Sequence, residues 1–180
     1  MAQPGGQPDA PIHGFYMTSV SAPRRLPYTL GLMFARALIA FLALPGIVAF
    51  AIPAIWLWYT DHTRLAHPFG LVLLALGTVA LIWCVRDFYV SGHGTLAPWT
   101  PPDRLVVVGL YRYSRNPMYV SVALILIGWS VSFATEGLFV YTLAVAIVFH
   151  LRVVFGEEPW LARTHGSEWG QYVTRVRRWF

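Results

Sequence analysis

Long apolar runs separated by short polar stretches limit what this chain can fold into. The runs cover about residues 30–59, 69–90, 117–133 and 138–155. A helix needs about 20 apolar residues to cross a hydrocarbon layer of roughly 30 Å, so the first two runs are long enough and the last two are short. The pattern predicts an all-α integral membrane protein with about four transmembrane helices.

The composition favours lipid as the solvent and leaves room for one domain. Of the 180 residues, 57% are hydrophobic and 12% are charged, against about 25% charged in an average soluble domain. A membrane bundle of this length leaves no room for a separate catalytic domain. We expect residues 1–27, rich in Pro and Gly, to be a flexible tail, and residues 28–180 to form a single membrane-embedded domain.

The arginines predict the orientation of the helices. All thirteen basic residues are Arg, and the net charge is +5. With the N-terminus inside, one flanking arginine, Arg64, lies outside the cell, and the others lie in the cytoplasm (residues 24, 25, 104, 112, 115, 163, 175, 177 and 178). Because cytoplasmic loops carry an excess of Arg and Lys, the chain is predicted to have both termini inside.

Prolines and glycines predict where the helices bend or end. Pro45 and Pro53 should kink the first run, because each removes a backbone hydrogen bond. Gly156 and Pro159 should interrupt the helix after the fourth run. The following residues, 160–180, mix Trp and Tyr with Arg, a composition typical of an interfacial amphipathic helix.

The basic residues and the single cysteine exclude some function classes. Cys84 is the only cysteine, so neither an intramolecular disulfide nor a multi-cysteine metal site can form, and we predict no metal. The arginines lie beside apolar runs rather than on one soluble face, which argues against nucleic acid as a partner. Membrane lipid is the expected partner.

Three polar clusters fall on the predicted cytoplasmic side. The first is Gly92-His93-Gly94. The second runs from Gly109 to Tyr119, and the third is Arg152 with Glu157 and Glu158. Alone, each has an ordinary explanation: a turn, a set of interface anchors and a solvated helix end.

Together, the clusters resemble a known family. The order is Gly-x-Gly, a Pro-rich loop, Gly-x-Tyr-Arg-x-x-Arg-Asn-Pro-x-Tyr opening a helix, and Glu-Glu after the next run. This order is similar to that of the isoprenylcysteine carboxyl methyltransferase and phospholipid N-methyltransferase family of membrane enzymes. The resemblance covers about residues 85–180, including Trp160, Trp169 and Arg178 near the end. Isoprenylcysteine enzymes have His before the Pro, where this chain has Asn116.

The resemblance implies an S-adenosylmethionine-dependent methyltransferase acting on a lipophilic acceptor at the cytosolic membrane face. It implies a cofactor-binding part over about residues 85–180 and catalytic roles for Arg152 and Asn116. The residues implied to bind the cofactor are Gly92, His93, Gly94, Tyr111, Arg112, Arg115, Asn116, Pro117, Tyr119, Glu157 and Glu158.

The chemistry of the cofactor fits these residue types. An arginine, Arg112 or Arg115, could bind its carboxylate through a charge-assisted fork. Glu157 or Glu158 could receive its ammonium or ribose hydroxyls. Since neighbouring helical residues point about 100° apart, we expect one glutamate to contact the cofactor and the other to pair with an arginine.

Other functions and several details stay open at this point. An NADPH-dependent reductase of the membrane sterol-reductase type and a non-enzymatic membrane scaffold are the alternatives. The acceptor could be a carboxylate, an amine or a thiol. If a base is needed, His93, His150 or Asp87 could serve. The residues do not indicate an oligomeric state.

Overall fold

The described part of the chain, residues 42–92 and 105–179 of a computed structural model, is helical. These described residues form no β-strand, apart from an isolated parallel bridge between Ser114 and Arg177. The elements are a π-helical segment Leu42–Ala51, α1 Ile52–Tyr59, α2 Phe69–Gly92, a 3-10 turn Gly109–Arg112, α3 Pro117–Phe133, α4 Glu136–Arg152, a π-helical turn Val153–Glu157 and α5 Glu158–Arg175. The predicted all-α class is confirmed. The predicted N-terminal tail, the start of the first run, His93 and Gly94 lie outside the described residues.

Helices α2 and α3 form the centre of the fold and touch through their backbones. Leu81 of α2 packs against Ile125 and Leu126 of α3, and all three side chains are fully or almost fully buried. A Cβ at Gly128 would lie 2.6 Å from the backbone nitrogen of Leu74. A side chain at position 128 would therefore collide with the backbone of α2. Glycine allows the two helices to approach this closely, as small residues commonly do between membrane helices.

The two prolines of the first run change its winding. Pro45 lies inside the π-helical segment, and Pro53 is the second residue of α1. Because Pro53 has no N–H, it cannot bond to the carbonyls four or five residues before it. Those carbonyls are satisfied by other helices: Trp129 Nε1 donates to Ala49 at 3.0 Å, and the Tyr141 hydroxyl donates to Val48 at 3.0 Å. These side chains anchor the segment to α3 and α4.

The loop after α1 and the turn after α3 lie at the same end of the α2–α3 pair. The backbone N–H groups of Ala66 and His67 donate to the Ser132 carbonyl at 2.7 and 3.1 Å. Ala134 adopts the left-handed conformation and ends α3. Helix α4 begins at Glu136, two residues before the predicted start of the fourth run.

The prediction that Gly156 and Pro159 interrupt the helix after the fourth run is wrong. Helical conformation continues through Val153–Glu157 into α5. A π-helical turn bonds five residues apart and so accommodates the extra residue, and Pro159 follows this turn as the second residue of α5. The break occurs later, at Gly166, whose φ of 48° and ψ of −114° are not helical.

Within residues 42–92 and 105–179, two helical stretches are long and apolar enough to cross a membrane. They are Phe69–Phe88, with 20 residues, and Glu136–Arg175, with 40 residues that include the break at Gly166. Pro45–Tyr59 and Pro117–Phe133 are shorter apolar helices. The four-span arrangement and its orientation stay predictions.

Candidate functional site

The loop before α3 lies against the C-terminal segment. The Arg115 N–H donates to the Arg177 carbonyl at 2.9 Å, and the Asn116 side-chain amide donates to the Arg178 carbonyl at 3.1 Å. The Tyr172 hydroxyl donates to the Tyr111 carbonyl at 2.7 Å. These three hydrogen bonds join residues about sixty positions apart in sequence, and the Arg115–Arg177 bond is part of the isolated Ser114–Arg177 bridge.

Glu158 is held by two arginines. Arg178 binds it in a bidentate fork, with Nε 3.0 Å from Oε1 and Nη2 2.7 Å from Oε2. Arg115 Nη1 lies 3.1 Å from Oε1, and the guanidinium lies over the Trp169 ring at 5.7 Å. The Glu158 side chain is only 13% exposed. A carboxylate so surrounded fixes the loop, α5 and the C-terminal segment together.

Glu157 has different partners and is more open. Its Oε1 accepts hydrogen bonds from the Tyr119 hydroxyl and from Arg152 Nε, the latter at 2.8 Å. The Tyr119 ring is held against Phe149, with centroids 4.4 Å apart. The Glu157 side chain is 35% exposed, and none of the described residues donates to its Oε2. The two neighbouring glutamates therefore point to separate arginines, as their angular offset in a helix requires.

The end of α2 contacts the loop before α3. Cys84 and Tyr111 share a buried cluster with Val106, and the rings of Phe88 and Tyr111 lie 6.4 Å apart. Gly92 is the last residue of α2. The contacts of Cys84 and Phe88 with Tyr111 show that the C-terminal part of α2 packs against the cluster Gly109–Tyr119. His93 and Gly94, predicted to bind cofactor with Gly92, lie outside the described residues.

The remaining predicted residues occupy distinct environments. Asn116 and Pro117 start α3 as predicted, with Pro117 in its first turn. Arg112 is exposed, whereas Tyr111 is buried. Burial raises the pKa of the Tyr111 phenol well above its ordinary value, so this hydroxyl stays neutral and is unsuited to act as a base.

Sequence reasoning missed the residues that close the site. The sequence places Tyr172 and Arg178 in an interfacial segment that shares in the family resemblance, but it assigns neither of them a contact in the site, and it assigns Ser114 no role. Ser114 Oγ accepts from the Asn116 N–H at 3.2 Å and donates to the Arg178 carbonyl at 3.3 Å. The one signal in the sequence was charge: two adjacent acids need cationic partners when they are buried.

The donor set suits a ligand that carries both charges. Arginine forks bind carboxylates, and the free oxygen of Glu157 can accept from an ammonium or a hydroxyl. Among residues 42–92 and 105–179, no group of three or more His, Cys, Asp or Glu side chains could hold a metal ion. These residues fit S-adenosylmethionine, which needs an anionic and a cationic partner close together.

A family model described as phospholipid methyltransferase matches residues 65–168, more than half of the chain. The chain belongs to the phospholipid methyltransferase family. Membership implies a methyltransferase acting on a lipid-type substrate, and with the apolar helices it indicates a membrane protein. The match includes Asn116, Arg152 and both glutamates but ends before Tyr172. No curated protein and no solved structure matches the chain significantly.

Proposed function

We propose that the protein transfers a methyl group from S-adenosylmethionine to a lipophilic acceptor at the cytosolic face of a four-span membrane domain. The observation that carries the proposal is the meeting of three parts of the chain at the acidic pair: the loop before α3 through Arg115, the first turn of α3 through Tyr119, and the C-terminal segment through Arg178. Family membership supports methyl transfer rather than reduction or a scaffold role. We also propose that residues 28–180 form one functional domain.

The proposed cofactor contacts follow from which groups are still open. Glu157 receives the ammonium or the ribose hydroxyls, because Glu158 is already enclosed by two arginines. Arg112 takes the carboxylate, because it is exposed and pairs with no described acidic residue, whereas Arg115 is engaged with Glu158. Asn116 holds the Arg178 carbonyl and so acts on the site through the C-terminal segment. Gly92, His93 and Gly94 stay proposed as backbone contacts.

The proposed reaction needs alignment more than acid or base groups. When bound, the cofactor would supply a methyl group activated by its sulfonium, and transfer of that group to the acceptor would break the methyl carbon–sulfur bond and leave the neutral thioether S-adenosylhomocysteine. The chain contributes a fixed geometry for both partners and an environment that excludes water. Tyr119, held by Phe149 and Glu157, offers an aromatic face to a cationic centre.

The proposal is tested by cofactor titration of the purified protein in detergent. We expect S-adenosylmethionine to bind and Glu157→Gln to weaken its affinity about tenfold or more, because a charge-assisted contact is lost. Glu168→Gln, an exposed acid on α5, is the matched control and should bind as the unmodified protein does. Binding of NADPH instead would indicate a reductase, and binding of neither would indicate a scaffold.

Incubation of membranes with methyl-labelled cofactor then identifies the acceptor class. Label in the lipid fraction is expected for this family. Label in protein or in a small water-soluble product would contradict the lipophilic acceptor.

A further inference from the structure

One face of α4 carries an unbroken stripe of exposed apolar side chains that leads towards the site. The members recur at intervals of three or four residues and therefore share one helix face. This apolar stripe consists of Val140, Leu143, Ile147, Leu151 and Phe155. In a membrane protein such a face is covered by acyl chains, which places lipid tails along α4.

Arg152 stands where the apolar stripe meets the site. It is flanked by Leu151 and lies one helical turn before Phe155. Its side chain is 50% exposed, and its Nε is fixed 2.8 Å from Glu157 Oε1. The Tyr119 hydroxyl also interacts with the Arg152 guanidinium. Glu157 and Tyr119 thus orient the guanidinium from one side, and the exposed half of the side chain is open to a ligand.

The planar guanidinium of an arginine matches the geometry of an oxyanion. The position of Arg152 beside the apolar stripe indicates which oxyanion it binds. A free anion would make no contact with the apolar stripe, whereas a membrane phospholipid carries its phosphodiester close to its acyl chains and can contact both Arg152 and the stripe. Bidentate contact with phosphate is a preferred arginine interaction.

We propose that Arg152 binds the phosphodiester of the phospholipid acceptor while the acyl chains lie along the apolar stripe. The inference rests on the proposed function, since it assigns the acceptor to the same site. Arg152 and the cofactor-binding Glu157 are in direct contact, so a headgroup anchored at Arg152 extends next to the cofactor. Arg152 then selects acceptors that carry phosphate over neutral lipids of the same length.

The test compares two fluorescent lipids with identical acyl chains, a diacyl phosphoethanolamine lipid and a diacylglycerol without phosphate. Each is titrated against the full chain in neutral detergent. We expect Arg152→Gln to weaken binding of the phospholipid about tenfold or more and to leave diacylglycerol binding unchanged within about twofold. Arg152→Lys should be intermediate, because an ammonium keeps the charge without the fork. Arg163→Gln, an exposed arginine on α5, is the control and should change neither affinity.

Three outcomes would overturn the inference. Equal affinity of Arg152→Gln and the unmodified protein for the phospholipid would show that Arg152 makes no contact. An equal loss for both lipids would show a general structural effect. Competition by glycerophosphoethanolamine, the headgroup without acyl chains, at the concentration at which the lipid binds would show a site for free phosphate.

Cofactor titration of the same samples separates this inference from the proposed function. If the unmodified protein does not bind S-adenosylmethionine, but Arg152→Gln still weakens phospholipid binding, the proposed function fails and the phosphate contact stands. If the unmodified protein binds S-adenosylmethionine, but Arg152→Gln leaves the phospholipid affinity unchanged, the proposed function stands and the phosphate contact fails.

Discussion

Gly109 shows how a single residue sets the path of the loop that carries the site. Its φ is +57°, a conformation that costs other residues about 1–2 kcal/mol. A Cβ at this position would also collide with Asp87 Oδ2 and lie 3.2 Å from Trp83 Nε1. The backbone passes directly over the Asp87 carboxylate, so the loop can follow the end of α2 only with glycine here.

Gly109→Ala should therefore destabilise the protein by about 2 kcal/mol or more. Part of this cost comes from the Asp87 carboxylate and part from the backbone angle. The same change made in an Asp87→Ala background should cost less, because the collision is gone. Thermal unfolding in detergent measures all four proteins of this cycle, and additive effects would show that Asp87 is not the obstacle.

Arg178 is the residue through which three parts of the site are joined. Its side chain binds Glu158, and its carbonyl accepts from Asn116 and Ser114. Substitution changes only the side chain, so the two roles can be separated.

Arg178→Ala should lower the thermal stability by about 1–2 kcal/mol and weaken cofactor affinity, because Glu158 loses its bidentate partner. Arg178→Lys should recover part of the stability. Arg177→Ala serves as the control, since that side chain is exposed and only its backbone contacts the loop. If Arg177→Ala and Arg178→Ala behave alike, the loss comes from net charge rather than from the fork.

At the scale of elements, proline placement is compensated by side chains of other helices. The carbonyls of Val48 and Ala49 cannot bond to Pro53 and instead accept from Tyr141 and Trp129. An unsatisfied carbonyl in an apolar setting is costly, so these bonds stabilise the π-helical segment Leu42–Ala51 against α3 and α4.

Tyr141→Phe removes one of these bonds with little change in shape. We expect a loss of about 1–3 kcal/mol, because the Val48 carbonyl is left without a partner. Tyr59→Phe, at a highly exposed position, is the matched control and should have little effect. Thermal unfolding of both variants in detergent is the measurement. Equal stabilities would mean that another donor reaches the carbonyl.

Element bounds could be predicted from sequence where local signals agree. Asn116-Pro117 followed by an apolar run predicted α3 with the bounds observed, because Pro at a helix start and apolar length both act locally. Gly156 and Pro159 predicted an interruption that the structure does not have. Whether such residues end a helix depends on whether a π-helical turn can form beside them, which sequence alone does not indicate. The pairing of Glu158 with Arg178 could not be predicted, since nothing local fixes which arginine meets which acid.

On the scale of the whole molecule, the described loops separate into two ends. Residues 60–68 and the turn after α3 share one end, as the bonds to Ser132 show. The loop before α3 and the C-terminal segment share the other. The sequence analysis likewise places the loop before α3 and the C-terminal segment together and Arg64 on the opposite side; the number of spans and the side of the membrane stay predictions.

Thiol labelling tests that orientation. Cys84 is fully buried, so Thr63→Cys and Thr174→Cys, both at exposed positions, report on the two ends. In intact cells a membrane-impermeant reagent should label position 63 at once and position 174 only after permeabilisation. The reverse pattern would invert the predicted orientation. The unmodified protein, with Cys84 alone, is the background control.

The π-helical turn Val153–Glu157 makes the site sensitive to the number of residues in this part of the chain. The turn already holds one residue more than α-helical winding would, so a further residue inserted beside Val154 would turn everything downstream by about 100°. Glu157 would then face where Glu158 does now, and both arginine networks would be mismatched. The site should therefore tolerate a substitution of Val154 better than an added residue beside it.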